Sequence, residues 1–389
     1  MDGEPRARAL EIVGQLARRL RPWIAEPTRA SHELIGVALL LAAQRGLDAV
    51  EDDFGELLQR AIASAGATPQ PAALWGGSLG FAWAMDQTLG LLEADAGDVL
   101  VDYDASLAQQ LDRGTAPEHF DLVRGLAGWA VYLASRPGEG AKRSLERVLS
   151  LLAARVTTGG AWETPGAAAD RIDVGVAHGV AGVVGALSVV LLAGAGAARE
   201  RVLLEGAVRW VLDQRARVPG AACEYPAFVT GETGEPARLA WCYGDAGIAA
   251  ALLLAARALR SPEVEASARE TARHAAGLSL RASHVVDAGI CHGAAGLGLI
   301  FARLFNATGD EVLRDAAARW FGDACARFSP EAPLGYRALQ PGEDGRLVPA
   351  DDGSVLMGAS GIGLAFLAAC GGDAPRWDAA LVVGAQVDG

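Results

Sequence analysis

A short glycine motif recurs along the chain and constrains its fold more than any other feature. Gly-x-x-Gly opens a run of apolar, helix-forming residues in six copies, whose first glycines are Gly77, Gly125, Gly179, Gly244, Gly293 and Gly358. These first glycines are 48, 54, 65, 49 and 65 residues apart. A degenerate copy, Ser31 to Gly36, precedes them with Glu33 in place of the first glycine. Such a period is typical of repeat architectures.

A period near 50 residues fits two helices and their connections. The segments between the motifs are amphipathic and predict helices, for example over Ala141–Ala154, Ala198–Gln214 and Val264–Leu278. Glycines three residues apart lie on one helix face and allow close backbone approach. We therefore predict an all-α fold, an α/α toroid of seven Gly-led inner helices and seven more polar outer helices. It should form a single domain over residues 1–389, with 1–25 as an N-terminal helix leading into the first repeat.

Two repeats carry long additions that are rich in turn residues. These are Val218–Pro236 and Pro330–Asp352, and the second contains the turn cluster 341–345. Both are predicted to be loops. Because each directly precedes an inner helix, we expect both to lie at the same end of the ring, and long loops in compact domains are often functional.

Composition excludes several classes of protein. The net charge of −13 does not provide the broad basic surface that nucleic-acid binding needs. No apolar signal-peptide core follows the first residues, which predicts a cytoplasmic protein, and five scattered cysteines then favour thiols or metal ligands over disulfides. Residues 180–198 are long and uncharged enough to span a membrane, but they are rich in Gly and Ala and lack terminal aromatic residues. We interpret them as a buried helix, not a transmembrane segment.

Residue types that bind metals stand in the same phase of successive repeats. Cys242 and Cys291 each lie two residues before the first glycine of their repeat, and His178 and His292 each lie one residue before it. Every repeat should place these positions at the end of the ring where the inner helices begin, which we call the mouth. We therefore expect the four side chains to meet there.

Cys242, Cys291 and His292 form a set that suits Zn²⁺, because zinc prefers thiolate and imidazole ligands. Three protein ligands leave a fourth position open, as in catalytic zinc sites. A helix N-terminus also favours thiolate over thiol. The alternative is that the two cysteines are small buried core residues, which does not account for their matched phase. A core or loop position is predicted for the cysteines without such a phase: Cys223, Cys325 and Cys370.

Three further polar residues are expected near the mouth. Asp121 lies four residues before Gly125, Arg238 lies four before Cys242, and His178 has the phase given above. Spacing alone leaves a structural role open for each of them: a helix N-cap for Asp121, a loop cation for Arg238 and a hydrogen-bonded core residue for His178.

These phrases resemble lanthionine synthetase C, the lanthipeptide cyclase family. The resemblance is carried by Trp241-Cys242-Tyr243-Gly244-Asp245-Ala246-Gly247, Cys291-His292-Gly293-Ala294-Ala295-Gly296, Ala177-His178-Gly179-Val180-Ala181-Gly182 and Phe120-Asp121-Leu122. It extends over nearly the whole chain to Pro375-Arg376-Trp377-Asp378, which is similar to the family's closing segment. The departures are Asp245-Ala246, where the family often has a proline before the last glycine, and Glu33 in the first repeat.

The resemblance implies an α/α toroid that holds one zinc ion through Cys242, Cys291 and His292, with Asp121, His178 and Arg238 as the other active-site positions. It implies a cyclase that adds cysteine thiols of a dehydrated precursor peptide to dehydroalanine or dehydrobutyrine, which forms (methyl)lanthionine rings. From the site chemistry, His178 is the predicted proton donor to the enolate. Asp121 would orient or charge His178, and Arg238 would stabilise the enolate oxygen or anchor Asp121.

The same resemblance implies the partners. The chain has no room for the dehydratase region of fused synthetases, so it looks like the stand-alone cyclase. A leader-plus-core precursor peptide and a separate dehydratase are then the expected partners. If the protein works within a synthetase complex, an exporter would be a further partner and the protein would lie peripherally at the membrane.

Two other classes remain open from the sequence. A zinc-stabilised binding or scaffold module would need a fourth protein ligand, such as Cys223 from the first long loop. A glutathione-adding relative or a zinc prenyltransferase would use the same thiol activation. The prenyltransferase would need an aromatic-lined cavity, whereas the nine tryptophans are scattered and only Trp241 adjoins the predicted site.

Overall fold

Two concentric rings of helices make up the protein in the computed structural model, which describes residues 3–26, 29–44, 54–67, 69–92, 98–167, 170–342, 346–371 and 376–384. Within these residues the inner helices are α2 (Ser31–Gln44), α4 (Ser78–Leu91), α6 (Leu126–Ser135), α8 (Val180–Leu192), α10 (Asp245–Leu259), α12 (Ala294–Thr308) and α14 (Ala359–Ala369). The outer helices are α1 (Gly3–Ile24), α3 (Phe54–Ala67), α5 (Val101–Asp112), α7 (Gly138–Ala154), α9 (Ala198–Asp213), α11 (Pro262–Gly277) and α13 (Glu311–Ala326). The predicted all-α toroid of seven inner and seven outer helices is confirmed.

The two ends of the chain close the ring. Each inner helix contacts the next, and α14 contacts α2. Within the described residues no outer helix follows α14, and α1 packs against it instead, next to α13. Arg6 Nε donates to the Cys370 carbonyl just beyond α14, at 3.1 Å. One of the seven hairpins is therefore built from the first and last helices of the chain.

The pattern of apolar residues explains which helices lie in the inner ring. The outer helix α7 buries Ala141, Leu145, Val148 and Leu152, which is one stripe at helical spacing. The inner helix α8 is buried at every position from Val180 to Ser188. Of the uncharged run 180–198, Val180–Leu192 form a largely buried helix of 13 residues, as predicted, whereas residues 193–197 form a mostly exposed connection and Ala198 begins α9. Among the described residues, no helix has the length and apolar character needed to cross a membrane.

A segment of six residues precedes each glycine pair, and we call it the pre-glycine segment. Its backbone lies so close to the pair that only glycine fits at both positions. The first glycine is the helix N-cap, not a helical residue, and the second lies in the first turn. At Gly358 and Gly361, an added Cβ would overlap the backbone carbonyl of the residue six positions earlier. At Gly361 it would also press on Ile290 of the neighbouring repeat. Glycine therefore permits two close contacts, one with the pre-glycine segment of its own repeat and one with the neighbouring repeat.

The degenerate first copy follows part of this pattern. A Cβ on Gly36 would lie 3.1 Å from the Val355 side chain, as second glycines in other repeats lie against an apolar residue of the preceding repeat. However, α2 begins at Ser31, five residues before Gly36. Helix therefore covers Ser31 and His32, the last two of the six positions that a pre-glycine segment has in the other repeats.

Backbone hydrogen bonds join the six pre-glycine segments around the mouth. The N–H of Trp75 donates to Val123, Val123 to Ala177, Ala177 to Cys242, Cys242 to Cys291 and Cys291 to Leu356, at 2.9–3.3 Å. Every one of these residues stands two positions before the first glycine of its repeat. The mouth is therefore a continuous polar-backbone arc with a fixed register between repeats.

The two long additions contain short strands, so the prediction that they are plain loops is wrong in detail. In the first, β2 (Phe228–Thr230) pairs with β1 (Arg171–Asp173) and β3 (Thr233–Gly234), and in the second β4 (Ala338–Pro341) pairs with β5 (Leu347–Ala350). Local pairing satisfies backbone groups that the helices cannot reach. Both sheets lie at the mouth, as expected: Val174 N–H donates to Ala227, and Leu339 N–H to Asp287. The turn residues 343–345 lie outside the described part of the chain.

The closing segment lies inside the ring. A 3₁₀ helix spans Arg376–Leu381 and contacts α4 and α6. Trp241 Nε1 donates to the Leu381 carbonyl at 2.8 Å, and Arg303 Nε of α12 donates to Asp378 at 2.5 Å. Pro375, part of the family-like closing phrase, is outside the described residues.

Adding one carbon at a second glycine tests the close approach. We expect Gly361→Ala to destabilise the fold by about 3 kcal/mol or more, since its Cβ cannot avoid the Val355 carbonyl. Gly322→Ala in the exposed face of α13, where an added Cβ meets nothing, should be neutral or stabilising by up to about 1 kcal/mol. Urea unfolding followed by circular dichroism measures both, and equal midpoints would contradict the explanation.

Candidate metal centre and active site

The register of the mouth brings the three predicted metal ligands together. Cys242 N–H donates to the Cys291 carbonyl at 3.3 Å, so the two cysteines are direct neighbours across repeats. One ligand atom from each of Cys242, Cys291 and His292 lies within 4.8 Å of the others. Cys242 is 5% exposed and the His292 side chain 11%, so the cluster is largely withdrawn from solvent.

Hydrogen bonds within the cluster shift the pKa values of its three side chains. The hydrogen bond from Cys291 lowers the pKa of the Cys242 thiol well below its ordinary value, although burial opposes it, and His292 contributes in the same direction. The same contact raises the pKa of Cys291. Burial alone would lower the pKa of His292, but hydrogen bonds with Asp287 and Cys242 raise it to about 9. A divalent cation would displace these protons and satisfy both sulfurs at once.

Asp287 supports the histidine from the far side, and the sequence reasoning did not find it. Its Oδ2 lies 3.5 Å from His292 Nε2 and also accepts from Leu339 N–H of β4, while Oδ1 accepts from Gly289 N–H. With Nε2 facing the carboxylate, Nδ1 is the ring nitrogen left for a metal. Such a carboxylate behind a ligand histidine fixes the ring and raises its basicity.

His178 and Asp121 form a pair at the same mouth. His178 Nδ1 lies 3.0 Å from Asp121 Oδ2, and the histidine side chain remains 30% exposed while that of Asp121 is 4% exposed. Burial alone would raise the pKa of Asp121, but hydrogen bonds from His178 and the Arg124 backbone N–H hold it below its ordinary value. The prediction was that Asp121 orients or charges His178, and this hydrogen bond is the contact through which it would orient the ring.

The position of Arg238 does not fit one of its two predicted roles, which was to anchor Asp121. No hydrogen bond or ion pair joins Arg238 to Asp121 among the described residues. Arg124 anchors that carboxylate instead, through its backbone N–H at 2.6 Å and its guanidinium at 3.7 Å. The charge of Arg238 is among the smaller causes that lower the pKa of Cys242, which places the guanidinium within electrostatic range of the metal cluster.

Tyr243 is a second residue that the sequence reasoning missed. Its phenol lies 3.4 Å from Asp173 Oδ1, and burial raises the pKa of the phenol, with the charges of Asp173 and Cys242 acting in the same direction. Asp173 and Asp287 both stand six positions before a first glycine, as does Asp352. This shared phase is the signal in the sequence that would have pointed to both carboxylates.

Cys223 is not part of the metal cluster. It is 2% exposed and lies against Gly244, and no fourth His, Cys, Asp or Glu completes the cluster within the described residues. Glu224, Asp245 and His274 also lie within reach of one another. Their charges are already matched, because Arg215 donates to Glu224, and Asp245 accepts from His274 and from two backbone N–H groups. This second group pins the long segment 218–236 to the start of α10.

Comparison with known proteins agrees with this architecture. The family model described as lanthionine synthetase C-like protein matches residues 28–382. Among solved structures, one described as nisin cyclase is similar to this chain with a TM-score of 0.72 and 16% identity, over 95% of this chain and 96% of that one. That likeness establishes the fold. No curated protein sequence matches the chain.

The lowered pKa of Asp121 predicts a pH dependence of stability with a definite sign. An ionised group with a depressed folded-state pKa stabilises the fold above the unfolded value of about 3.9, and this contribution is lost as pH falls through the folded value. We expect wild type to lose stability relative to Asp121→Asn between pH 6 and pH 3, measured as urea midpoints. Asp315→Asn, at an exposed carboxylate, serves as control, and an equal pH effect there would contradict the prediction.

Proposed function

The chain belongs to the lanthionine synthetase C-like family, and on that premise we propose that it is a zinc-dependent lanthipeptide cyclase. It would act on a dehydrated precursor peptide and close thioether rings between cysteine and dehydroalanine or dehydrobutyrine. The observation that carries the proposal is the cluster of Cys242, Cys291 and His292 at the mouth, whose ligand atoms lie within 4.8 Å of one another.

The donor set supports zinc as the cofactor. Two cysteines and one histidine are soft and borderline ligands of the kind that zinc prefers, and Asp287 supplies the carboxylate that ligand histidines commonly have behind them. Three ligands without Cys223 favour an open fourth position, which supports a catalytic over a purely structural metal. Zinc bound there would lower the pKa of a substrate thiol so that it reacts as a thiolate at neutral pH.

The addition needs a proton at a defined step. The cysteine sulfur of the peptide forms a bond to Cβ of the dehydro residue, and the π electrons move to Cα as an enolate with its charge on the carbonyl oxygen. Protonation at Cα completes the ring, so the product has the mass of the substrate. Neither oxidant nor reductant is consumed.

His178 is the group that we assign to this proton. It is partly exposed at the mouth, and its Nδ1 is held by Asp121, which leaves Nε2 directed elsewhere as donor. The same contact with Asp121 would hold the imidazole ring in one orientation for this proton transfer. Arg238, near the cluster and without a bond to Asp121, is assigned to the enolate oxygen.

The proposed partners follow from this chemistry. The substrate is a leader-plus-core peptide in which dehydration has already taken place, so a separate dehydratase must supply it. One zinc ion per chain is the only cofactor that the reaction requires.

Zinc content and thiol loss together test the proposal. We expect wild type to hold one equivalent of zinc and to remove the free thiol from a dehydrated Cys-containing peptide without change of mass. Cys291→Ala should lose zinc and activity together, while Cys325→Ala, a cysteine outside the cluster, should keep both. Atomic emission and mass spectrometry after thiol alkylation give the two readouts.

Each alternative has its own outcome in that experiment. Full zinc with no thiol loss on any dehydrated peptide would favour a binding module. A peptide that keeps its own thiol but gains the mass of one glutathione when glutathione is added would favour a glutathione-adding enzyme. A wild-type protein that binds no zinc would overturn the assignment of the cluster.

Removing the proposed proton donor should affect turnover and not metal binding. We expect His178→Asn to lower kcat about 10²- to 10⁴-fold, with zinc content unchanged and KM changed little. His284→Asn is the matched control, because His284 is exposed and its left-handed backbone, with φ of 57°, tolerates asparagine. A loss of less than about threefold at His178 would refute its role as proton donor.

A further inference from the structure

The arc of backbone hydrogen bonds around the mouth has a gap at the first repeat. Among the described residues it runs from Trp75 to Leu356 and no hydrogen bond of this kind closes it, because Ser31, the equivalent position of the first repeat, already lies in α2. Nearby, the Glu33 side chain accepts from Gly353 N–H at 3.0 Å. A side-chain contact thus links the first repeat to the last at this point.

A cavity of about 260 Å³ occupies this gap and extends toward the closing 3₁₀ helix. Its walls are Ile35 and Leu39 of α2, Trp75 and Phe81 of the second repeat, and Val355 and Met357 of the last. An apolar cavity of about 150 Å³ suffices for benzene. The space is therefore large enough for an aromatic side chain.

The cavity adjoins the metal cluster. Leu356, which lines the cavity, accepts the N–H of Cys291 at 2.9 Å. Trp75 lies edge-on to Trp241, the neighbour of Cys242, with ring centroids 6.1 Å apart. A peptide that presents a thiol at the cluster would therefore have a neighbouring residue within reach of this space.

The lining has the properties of an unfilled binding surface. Trp75, Phe81, Val355, Leu356 and Met357 are all partly exposed, although they converge on one space.

We propose that this cavity is a specificity pocket for an aromatic or branched aliphatic side chain of the precursor peptide, next to the residue that reacts. The inference rests on the proposed function and names a feature of its substrate. The tryptophans that were scattered in the sequence do form an aromatic-lined cavity, which reopens an isoprenoid diphosphate as occupant. The lining carries Asp352 but no Lys or Arg, so nothing there neutralises a diphosphate, and the peptide side chain is favoured.

Filling the cavity tests the proposal directly. Ala84 of α4 lines it and is 6% exposed, so Ala84→Leu should occupy the space from one side, and Ile35→Phe from the other. Ala302→Leu on α12, outside the cavity, is the matched control. N-acetyl-phenylalanine amide, titrated by NMR, should bind to wild type and to Ala302→Leu and be lost in both filled variants. This readout needs no catalysis.

The second measurement compares two dehydrated peptides that differ only in Phe or Ala beside the reacting cysteine, tested on either flank. Wild type and Ala302→Leu should prefer the Phe peptide at least about tenfold in kcat/KM, and filling the cavity should abolish that preference. Circular dichroism and zinc content confirm that the filled variants are folded.

The outcomes separate this inference from the function on which it rests. Cyclisation of both peptides at equal rates, or displacement of the amide by farnesyl diphosphate, overturns the pocket and leaves the cyclase standing. Failure to cyclise either peptide overturns the cyclase, and the pocket assignment with it. Amide binding that survives filling in both variants also overturns the pocket.

Discussion

The close contact between each glycine pair and the pre-glycine segment before it is the constraint on which the structure depends. Where a Cβ would collide with a carbonyl oxygen, as at Gly361, only glycine lets the segment fold back over its helix. That fold places the residue two positions before the glycine on the arc of hydrogen bonds around the mouth. Position in the motif thus becomes position in space, with the same register in each repeat.

The chemistry of the mouth follows from that register. Cys242 and Cys291 occupy equivalent places on adjacent repeats, so their thiols meet without any further device. The carboxylates six positions before the glycines lie behind this layer, where Asp287 faces His292 and Asp173 faces Tyr243. A single repeat therefore supplies both a proposed metal ligand, His292, and the carboxylate that orients it, Asp287.

Irregularity in the repeats is as informative as their regularity. The first repeat keeps Gly36 in contact with Val355, but its helix begins early, at Ser31, and the arc opens at that point within the described residues. Helix α1, the first of the chain, lies in the outer ring, whereas the closing 3₁₀ helix lies inside the inner ring. Because these departures fall on one side, the mouth acquires an apolar cavity beside the cluster, where a strictly symmetric ring would have none.

The sequence by itself determined the repeat, the number of helices, the phase of the proposed metal ligands and the mouth at which they meet. These properties are local or periodic, so the spacing of Cys242, His292 and Gly244 encodes them directly. Only the tertiary structure decided that α1 closes the ring on α14, that Arg124 and not Arg238 holds Asp121, and that Asp287 supports His292. Those contacts join distant segments or depend on side-chain direction. Their free energy comes from burial and charge pairing that exist once the ring has closed, which is why no single repeat carries a pattern for them.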